Sequence, residues 1–502
     1  MNKIFISIIV FRFVTINSFA AVWHVGSAQT YTLPSQVKTL VQDGDTIYID
    51  AGIYANDATK WTKKDLKFIG LGTGVNRTVL QYSGDIANGK GIFVFESPGN
   101  SDNPYLENIV FDGAQVSDAN GGNGAGIRFQ ANNITVNNCK FTNCQNGILE
   151  GNASVSTSNV TILNSEFENN GYQQQNNSTF SGYEHNIYIN ASTDTLLVQN
   201  CYFHHPRGQA NSLKTRAQRS YILYNLIDEE ATGYGSWEIN IAQGGLNIIM
   251  GNIIIQGAAG ANHGIVGYDA ATNALKDFYF VNNTVINKYV GNIKYFNIVP
   301  ASGINTFKIY NNIFASVSGA GNTMLAGNIP GVFDTSNNIS IPNYLTLGFT
   351  NPAVADYSLA ATATLAINQG TNAGITNTAY SLTPANIYQS FATALLPRST
   401  VGGAIDIGAY EYKGSTGIFE GQTPTGIYIY PNPFSVQTTL VFLQEQNNSV
   451  LIITDVMGKE IKTINFTGKE LLIEKGEMKA GIYFVHTTDE KKNRINIKII
   501  IQ

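Results

Sequence analysis

The segments "VTILNSEF" (160–167), "LLVQNCYF" (196–203) and "NIIMGNII" (247–254) share one pattern, in which an asparagine follows an apolar, β-branched run and precedes another apolar residue. The pattern recurs through the middle of the chain, with its asparagines at Asn108, Asn138, Asn164, Asn200, Asn225, Asn252, Asn283 and Asn312. Successive asparagines are 30, 26, 36, 25, 27, 31 and 29 residues apart. Repeats of this length indicate stacked supersecondary units.

The repeat predicts an all-β solenoid, a right-handed parallel β-helix, with one coil per repeat. Each coil must turn a corner between two short strands, and asparagine tolerates the left-handed backbone conformation that such a corner uses. Like residues on successive coils stack about 4.8 Å apart, so their amides can bond from coil to coil. We therefore expect the eight asparagines to occupy a single position, in coils that run from about residue 66 to 340.

Composition sets limits on function. The chain has 502 residues, 13% of them charged, and a formal net charge of −5, so a large core and more than one domain are expected. An acidic chain without a glycine-rich phosphate loop or zinc-type Cys/His spacing does not favour nucleic acid as a partner. The three cysteines give no disulfide framework. We expect Cys139 and Cys201 to point into the core.

The chain divides into four segments. Residues 1–20 read as a secretory signal, with Lys3 before the apolar run and Ser18-Phe19-Ala20 at the cleavage position. Residues 21–412 are predicted to form the β-helix, opened by a cap with a short amphipathic helix at 35–41. Residues 413–424 form a linker rich in Gly, Thr and Ser. Residues 425–502 alternate as a small antiparallel β-sandwich. No later segment is long and apolar enough to span a membrane.

Two resemblances extend this division. The opening of the second segment and its closing phrase "GGAIDIGAYEY" (402–412) resemble pectin-lyase-like β-helix proteins. The final segment resembles the C-terminal sorting domain of the type IX secretion system of Bacteroidetes. The motifs that match are Tyr430-Pro431-Asn432-Pro433-Phe434, Asp455 with Gly458-Lys459, and Gly481-Ile482-Tyr483. This resemblance implies the type IX secretion machinery as a partner and a secreted or cell-surface location.

Three predicted strands can be aligned on their inward residues: "HNIYIN" (185–190), "NSLKTR" (211–216) and "WEINIA" (237–242). Period-2 alternation then sorts the side chains. The inward columns are Ile187, Leu213, Ile239 and Ile189, Thr215, Ile241. The outward columns are Asn186, Ser212, Glu238; then Tyr188, Lys214, Asn240; then Asn190, Arg216, Ala242. The outward columns form a polar surface that suits a binding site.

Charge and loop length favour the same surface. No Asp or Glu occurs from Thr195 to Ile227, a stretch that contains Arg207, Lys214, Arg216 and Arg219. The longest insertion, at 171–184, precedes the first of the three strands, where it is expected to form one wall of a cleft. The next coil brings His263 and Tyr268 towards the same place.

Lys214 and Arg216 suggest a chemistry. Arg216 is expected to lower the pKa of Lys214, which favours the neutral amine as a base. Arginine stays charged and stabilises a carboxylate or a developing enolate. β-Elimination in a uronic-acid polysaccharide needs a base for the C5 proton, a group that stabilises the anion, and an acid for the departing O4.

The fold and this pair resemble β-helix polysaccharide lyases, including the alginate and chondroitin lyase group. The resemblance implies catalytic roles for Lys214 and Arg216, and a calcium ion held by Asn186 and Glu238. If the protein instead resembles the metal-free lyases, His185, Tyr188 and His263 would act as acid, base or neutraliser of the carboxylate. Alternation, however, places His185 and Tyr188 on opposite faces of the strand. The residues assigned to substrate binding are Asn190, Asn240, Arg207, Arg219 and Tyr268.

The leading hypothesis is thus a secreted, monomeric lyase that acts on an acidic polysaccharide. A β-helix glycoside hydrolase is the first alternative, although hydrolysis needs two carboxylates and the outward columns offer only Glu238. A non-catalytic surface protein that binds glycan is the second. A uronate epimerase shares the proton abstraction and also stays open.

Overall fold

Three long parallel β-sheets form most of the protein in its computed structural model. The structure describes residues 20–74, 76–96, 100–151, 157–171, 182–261, 264–270, 272–299, 303–328, 330–389, 395–412, 427–430, 432, 434, 436–456, 458–488 and 494–501. Within these residues sheet 1 has 12 strands, sheet 2 has 10 and sheet 3 has 11. The described part contains no α-helix, and its short 3-10 helices are Pro34–Val37, Asp118–Asn120, Tyr344–Thr346 and Pro352–Val354.

The strands of each sheet follow one another in the order of the chain. Sheet 1 contains Val22–Val25, Thr46–Ile49, Lys67–Gly70, Tyr105–Glu107, Ile134–Asn137, Thr157–Leu163, Thr193–Gln199, Arg219–Leu223, Gly245–Met250, Lys276–Val281, Thr306–Tyr310 and Phe333–Ser336. Sheet 2 contains Thr59–Trp61, Gly91–Phe95, Ala125–Phe129, Asn146–Glu150, Ile187–Ile189, Leu213–Thr215, Trp237–Ile241, Gly264–Tyr268, Ile293–Ile298 and Asn322–Gly327. Sheet 3 contains Gly52–Ala55, Thr78–Gln81, Ile109–Asp112, Lys140–Thr142, Glu166–Glu168, Tyr202–His204, Leu226–Asp228, Ile253–Gln256, Thr284–Asn287, Ile313–Ser316 and Ile339–Ile341.

Each coil passes through sheet 1, then sheet 3, then sheet 2, and pairs in parallel with the coils before and after it. Crossover connections between parallel strands are right-handed, and the predicted right-handed parallel β-helix is confirmed. The coils begin earlier than residue 66, because Val22–Val25 already pairs in parallel with Thr46–Ile49. The predicted cap helix is shorter than expected: it is the 3-10 turn Pro34–Val37, and it buries Val37.

The corner asparagines occupy two adjacent positions, so the expectation of a single position is wrong. Asn108, Asn138, Asn164 and Asn200 lie at the left-handed corner itself, with φ between 50° and 58°. In the next four coils the left-handed residue stands one place earlier, at Tyr224, Gly251, Asn282 and Asn311. The repeat hides this shift because coil length itself varies by several residues.

The second position carries the amide ladder. Asn225, Asn252, Asn283 and Asn312 are fully buried. The side-chain oxygen of each of the last three accepts bonds from the backbone N–H and side-chain amide of the asparagine one coil earlier, at 2.8–3.1 Å. Cys201 holds this position in the preceding coil, and its N–H donates to Asn225 at 2.9 Å. Cys201 and Cys139 are buried, as predicted.

Identical side chains from successive coils also stack on one another in the core. Phe111, Phe141, Phe167 and Phe203 of sheet 3 form a column with ring centroids 4.8–5.1 Å apart and planes within 8° of parallel. This spacing is the separation of neighbouring parallel strands. The column therefore holds the coils in register from inside the solenoid.

A C-terminal strap, residues 344–412, covers the outer side of sheet 3. Its short antiparallel strand pairs are Phe349–Asn351 with Asp356–Leu359, and Asn386–Ile387 with Leu396–Pro397. Tyr357 and Ile407 of the strap pack in one apolar cluster with Ile255 and Ile286 of the sheet. The closing phrase "GGAIDIGAYEY" folds around Arg398, whose Nε donates to Glu411 at 2.9 Å.

The last segment is a separate antiparallel sheet with its own core. Its strands are Ile427–Tyr430, Gln437–Asp455, Glu460–Glu474, Gly481–Thr488 and Arg494–Ile501. Phe434 is buried in that core, and Asn432 Oδ1 accepts a bond of 2.7 Å from the N–H of Ile500. The signal at 1–19 and the linker at 413–424 lie outside the described residues.

Candidate active site

The outward column Tyr188, Lys214, Asn240 forms as predicted on sheet 2. Tyr188 pairs with Lys214, and Lys214 pairs with Asn240. The inward neighbours Ile187, Leu213 and Ile239 are fully buried. Alternation works here because these strands are regular. We call the outer surface of these strands the open face.

Two cations converge on Tyr188. Lys214 Nζ lies 5.4 Å from the centre of the Tyr188 ring, and Arg216 Cζ lies 5.3 Å from it. Arg216 Nη1 also donates a hydrogen bond to the hydroxyl oxygen of Tyr188. Arginine can only donate, so the Tyr188 hydroxyl is the acceptor and keeps its own proton available for another partner.

His185 completes the cluster, contrary to the expectation from alternation. Its ring stacks on Tyr188 with centroids 5.7 Å apart and planes 18° from parallel. Its Nδ1 accepts a bond of 3.1 Å from the N–H of Asn211, so Nε2 carries the proton of the neutral ring. Burial, together with Lys214 and Arg216, holds the pKa of His185 well below its usual value. His185 precedes the strand, at a corner, where alternation no longer sets side-chain direction.

Lys214 has the electrostatic environment of a base. Burial lowers the pKa of its amine to about 8, and the neighbouring Arg216 adds to the effect. The predicted direction is confirmed, but burial is the larger cause. Burial also raises the pKa of Tyr188, while Arg216 opposes that rise. Tyr188 is therefore a protonated phenol beside a lysine that readily loses its proton.

The proposed calcium ligands do not fit that role. Asn186 and Glu238 are fully buried, beneath the corner between sheets 3 and 2. Asn186 Oδ1 already accepts a bond of 2.9 Å from Asn170. Burial, with Glu229 nearby, raises the pKa of Glu238 well above its usual value, which favours a neutral carboxyl. Neither side chain reaches the open face, so these two residues would not present a calcium ion to a substrate there.

The assigned substrate-binding residues separate into different places. Asn240 and Asn190 lie by the cluster, although Asn190 Oδ1 accepts a bond from the N–H of Ala191 at 2.8 Å. Arg219 belongs to sheet 1, where it forms an ion pair with Asp194.

Two further assignments lie away from the open face. Arg207 lies at the corner before the strand, where its N–H donates to the carbonyl of Asn170 at 2.9 Å. Tyr268 was wrongly assigned: it is in register with the inward Ile241 and packs in the core 5.0 Å from Phe278. His263 and most of the insertion at 171–184 lie outside the described residues.

The structure adds two residues that alternation and charge did not select. Arg128 lies in the same outward column, because it pairs with Leu149 and Leu149 pairs with Tyr188. Trp237 has inward parity, yet it is half-buried and its ring lies beside Gly267 of the next coil. Gly267 in the outward column leaves room for a ring from a neighbouring coil, and this glycine was the feature of the sequence that could have indicated the position of Trp237.

A second polar cluster lies on sheet 3. Glu166, Glu168 and His204 have the spacing of metal ligands. Lys140 Nζ, however, lies 3.0 Å from Glu166 and 2.7 Å from Glu168, and His204 bonds to Glu166 and Glu230. The acceptor bonds raise the pKa of His204 to about 9 against the effect of its burial. The cluster is thus an ion-pair network with its own cations.

Comparisons with known proteins identify the C-terminal segment. Residues 428–502 match the secretion system C-terminal sorting domain. An endo-acting ulvan lyase of Formosa agariphila is 34% identical over 77 residues, which are 15% of this chain and 15% of that protein. The sorting domain alone spans 75 residues (428 to 502 inclusive), so a similarity of this length carries no inference about the β-helix.

Two solved structures resemble the chain at a low level. One is the tailspike protein gp49 of Acinetobacter baumannii bacteriophage Fri1, a capsular polysaccharide depolymerase, with TM-score 0.33, 11% identity and coverage of 95% of this chain and 78% of that one. The other is DFA-IIIase of Arthrobacter chlorophenolicus A6, with TM-score 0.26, 11% identity and coverage of 60% and 82%. Neither similarity is close enough to carry an argument about function.

The sorting domain fixes the location of the protein. Among the described residues, no helix has the length and apolarity that crossing a membrane requires. The protein is a secreted or cell-surface parallel β-helix, and its residues 428–502 belong to the family of secretion system C-terminal sorting domains.

Proposed function

We propose that the protein is a polysaccharide lyase that cleaves a uronic-acid-containing glycan by β-elimination on the open face of sheet 2. The observation that carries this proposal is Lys214, an amine with a pKa of about 8 that lies beside Tyr188. An exposed lysine on a plain solvated strand would keep its usual pKa. Tuned titratable groups in one cluster are typical of catalytic sites.

In the proposed reaction Lys214, as the neutral amine, removes the C5 proton of the uronate. The electrons of the C5–H bond form the C4–C5 double bond, and the bond from C4 to O4 breaks. Arg216 binds the uronate carboxylate and stabilises the charge that develops when C5 loses its proton. These roles need Lys214 and Arg216 on the same side of the sugar, and the position of both beside the Tyr188 ring, 5.4 and 5.3 Å from its centre, supports them.

Tyr188 supplies the proton to the departing O4. Its hydroxyl oxygen accepts from Arg216, so the arginine stabilises the phenolate after the proton has left. Transfer of the proton from Lys214 back to Tyr188 restores both groups. The stacked ring of His185 holds Tyr188 in place and stays neutral.

The alternatives find less support on this surface. Hydrolysis needs two carboxylates on either side of the bond, but Glu238 and Glu150 are fully buried. Asp269 lies two strands beyond Arg216, because it follows Ala242 in that column. A pure binding protein has no need of a tuned amine. An epimerase would use the same base without forming a double bond.

The test mixes the full chain with a panel of acidic polysaccharides and follows the ultraviolet absorbance of the unsaturated uronate. We expect a rise on one substrate class, lost in Lys214→Ala and retained in Lys294→Gln, an exposed lysine on another strand of sheet 2. Because Asn186 and Glu238 do not reach the open face, activity should persist after removal of calcium. Deuterium uptake at C5 without absorbance would instead identify an epimerase. Release of saturated reducing ends would identify a hydrolase.

A further inference from the structure

We propose that the open face binds an internal stretch of glycan along the helix axis, with Trp237 stacking on one sugar ring and Arg128 holding a second carboxylate. This inference rests on the proposed function and adds a binding site on either side of the reacting sugar. Arg128 lies towards the N-terminal coils from Tyr188, and Trp237 packs on the coil beyond Asn240, towards the C-terminal coils.

Trp237 presents a flat aromatic surface. A Cβ atom placed on Gly267 would lie 3.3, 3.4 and 3.7 Å from three atoms of the Trp237 ring, Cδ2, Cε2 and Cε3. Nearly equal distances to three ring atoms mean that the indole packs face-on against that glycine. A Cβ atom on Gly264 would lie only 2.2 Å from the ring. Glycine at 264 and 267 thus makes room for the ring on the outer surface of the sheet.

A ring packed in this way has its opposite face directed away from the sheet. Trp237 is half-buried rather than buried, unlike the core residue Ile239 two places on. Aromatic side chains offer large apolar contact area with a polar edge, and they line most ligand sites. The C–H face of a sugar is the part of a glycan that such a surface fits.

Arg128 presents a cation without an ion pair among the described residues. Its Nη2 donates to the carbonyl of Gly151 at 2.7 Å, and its buried Nε has no partner. The nearby carboxylate of Glu150 accepts hydrogen bonds from the N–H of Asn190 at 2.6 Å and from the hydroxyl of Ser192 at 2.8 Å. The guanidinium charge is therefore not paired with a carboxylate of the described residues, which suits a carboxylate that comes from outside.

The spacing suits a polymer. Arg128 lies two strands from Tyr188 and three from Lys214, or about 10 and 14 Å along the axis. That separation exceeds a single sugar, so the carboxylate at Arg128 belongs to a residue further along the chain. With Trp237 on the other side, the reacting sugar has neighbours in both directions, and cleavage falls inside the polymer.

The test compares Arg128→Gln and Trp237→Ala on the polymer and on the shortest oligosaccharide that the enzyme cleaves. Each variant should lower kcat/KM on the polymer roughly tenfold through KM, with little change on the short substrate. Arg219→Gln, the same change on sheet 1, should leave both values unaltered, and Trp237→Phe should recover part of the loss. Early products of the wild type should be long fragments.

The salt dependence of KM distinguishes the contribution of Arg128 from that of Trp237. The contribution of Arg128 is electrostatic, so Arg128→Gln should weaken the salt dependence of KM, whereas Trp237→Ala should leave it unchanged. Equal losses of kcat on long and short substrates, or no loss in either variant, would overturn the inference.

A failure of the proposed function gives a different result. If no glycan is cleaved, retardation of the protein in gels that contain the acidic polymer decides the matter. If the Arg128 and Trp237 variants are retarded less than the wild type and Arg219→Gln is not, the result supports glycan binding along the open face without lyase activity. If all variants are retarded equally, or if the wild type is not retarded at all, the proposed glycan binding along the open face is wrong.

Discussion

At the residue scale, the site depends on how Lys214 loses its charge. Burial is the larger cause of its lowered pKa and Arg216 the smaller. Both disfavour the ammonium ion, burial because it removes water and Arg216 because it is a like charge. In the proposed reaction Lys214 would therefore be available as a base at a pH near its pKa of about 8.

A pH profile tests this account. Because Lys214 must be neutral to accept a proton, kcat/KM should rise with pH through a pKa of about 8. In Arg216→Gln the residual activity should show the same limb at higher pH, since only the burial remains. The measurement is the pH dependence of initial rates for both proteins. An unchanged limb in Arg216→Gln would mean that the titrating group is not Lys214.

At the element scale, each of the four corners at Tyr224, Gly251, Asn282 and Asn311 has two functions, which two adjacent residues share. The left-handed residue turns the chain, and the residue after it bonds to the next coil through its side chain. Asparagine suits both positions, which is why the sequence pattern merged them. The second position contributes more to stability, because its amide is buried and satisfies a backbone N–H.

Replacing one asparagine of each kind separates the two functions. Asn283→Ala leaves the buried N–H of Asn252 without its acceptor, and should lower the free energy of unfolding by about 2–4 kcal/mol. Asn164→Gly keeps the left-handed corner and loses a partly exposed amide, so it should cost less than about 1 kcal/mol. Urea denaturation at constant m-value gives both numbers. Equal losses would contradict a distinct role for the second position.

In sheet 2, alternation predicts the side-chain directions correctly within the strands but not at the corners. Tyr188, Lys214 and Ile239 lie where period-2 counting places them, because extended backbone fixes side-chain direction. His185 precedes its strand and Trp237 is the first residue of its strand, and at these turning positions the rings lie beside Tyr188 and Gly267 of the open face. The register between coils, which brings Arg128 into the column, depends on loops whose lengths carry no such rule.

At the scale of the whole molecule, the strap ties the end of the solenoid to its side. Arg398 donates to Glu411 and to the carbonyls of Gly408 and Asp406, and it is almost fully buried. The strap covers apolar residues of sheet 3 that would otherwise face water, among them Ile255. The closing phrase of the sequence therefore acts as a clasp, and its charged residues are structural.

Breaking the clasp should loosen the strap. Arg398→Met leaves Glu411 buried without its cation, which should cost about 3–5 kcal/mol. The surface pair provides the matched control: Arg219→Met should cost at most about 1 kcal/mol. Limited proteolysis should cut Arg398→Met within the strap before the solenoid is degraded, and denaturation should show the lower stability. A wild-type pattern in Arg398→Met would show that apolar packing alone holds the strap.

The corner position occupied by His185, Asn211 and Trp237 stands three residues before Tyr188, Lys214 and Asn240 of the open face. In these three coils the chain thus repeats one corner position, with His185 and Asn211 buried and Trp237 half-buried, and one position on the open face, while Ile187, Leu213 and Ile239 fill the interior. In the proposed glycan site, exchanging one such pair would alter the contacts of one sugar and leave the core residues beneath unchanged. Under the proposed function, the preference for a glycan would therefore change coil by coil, through substitutions at the outer positions alone.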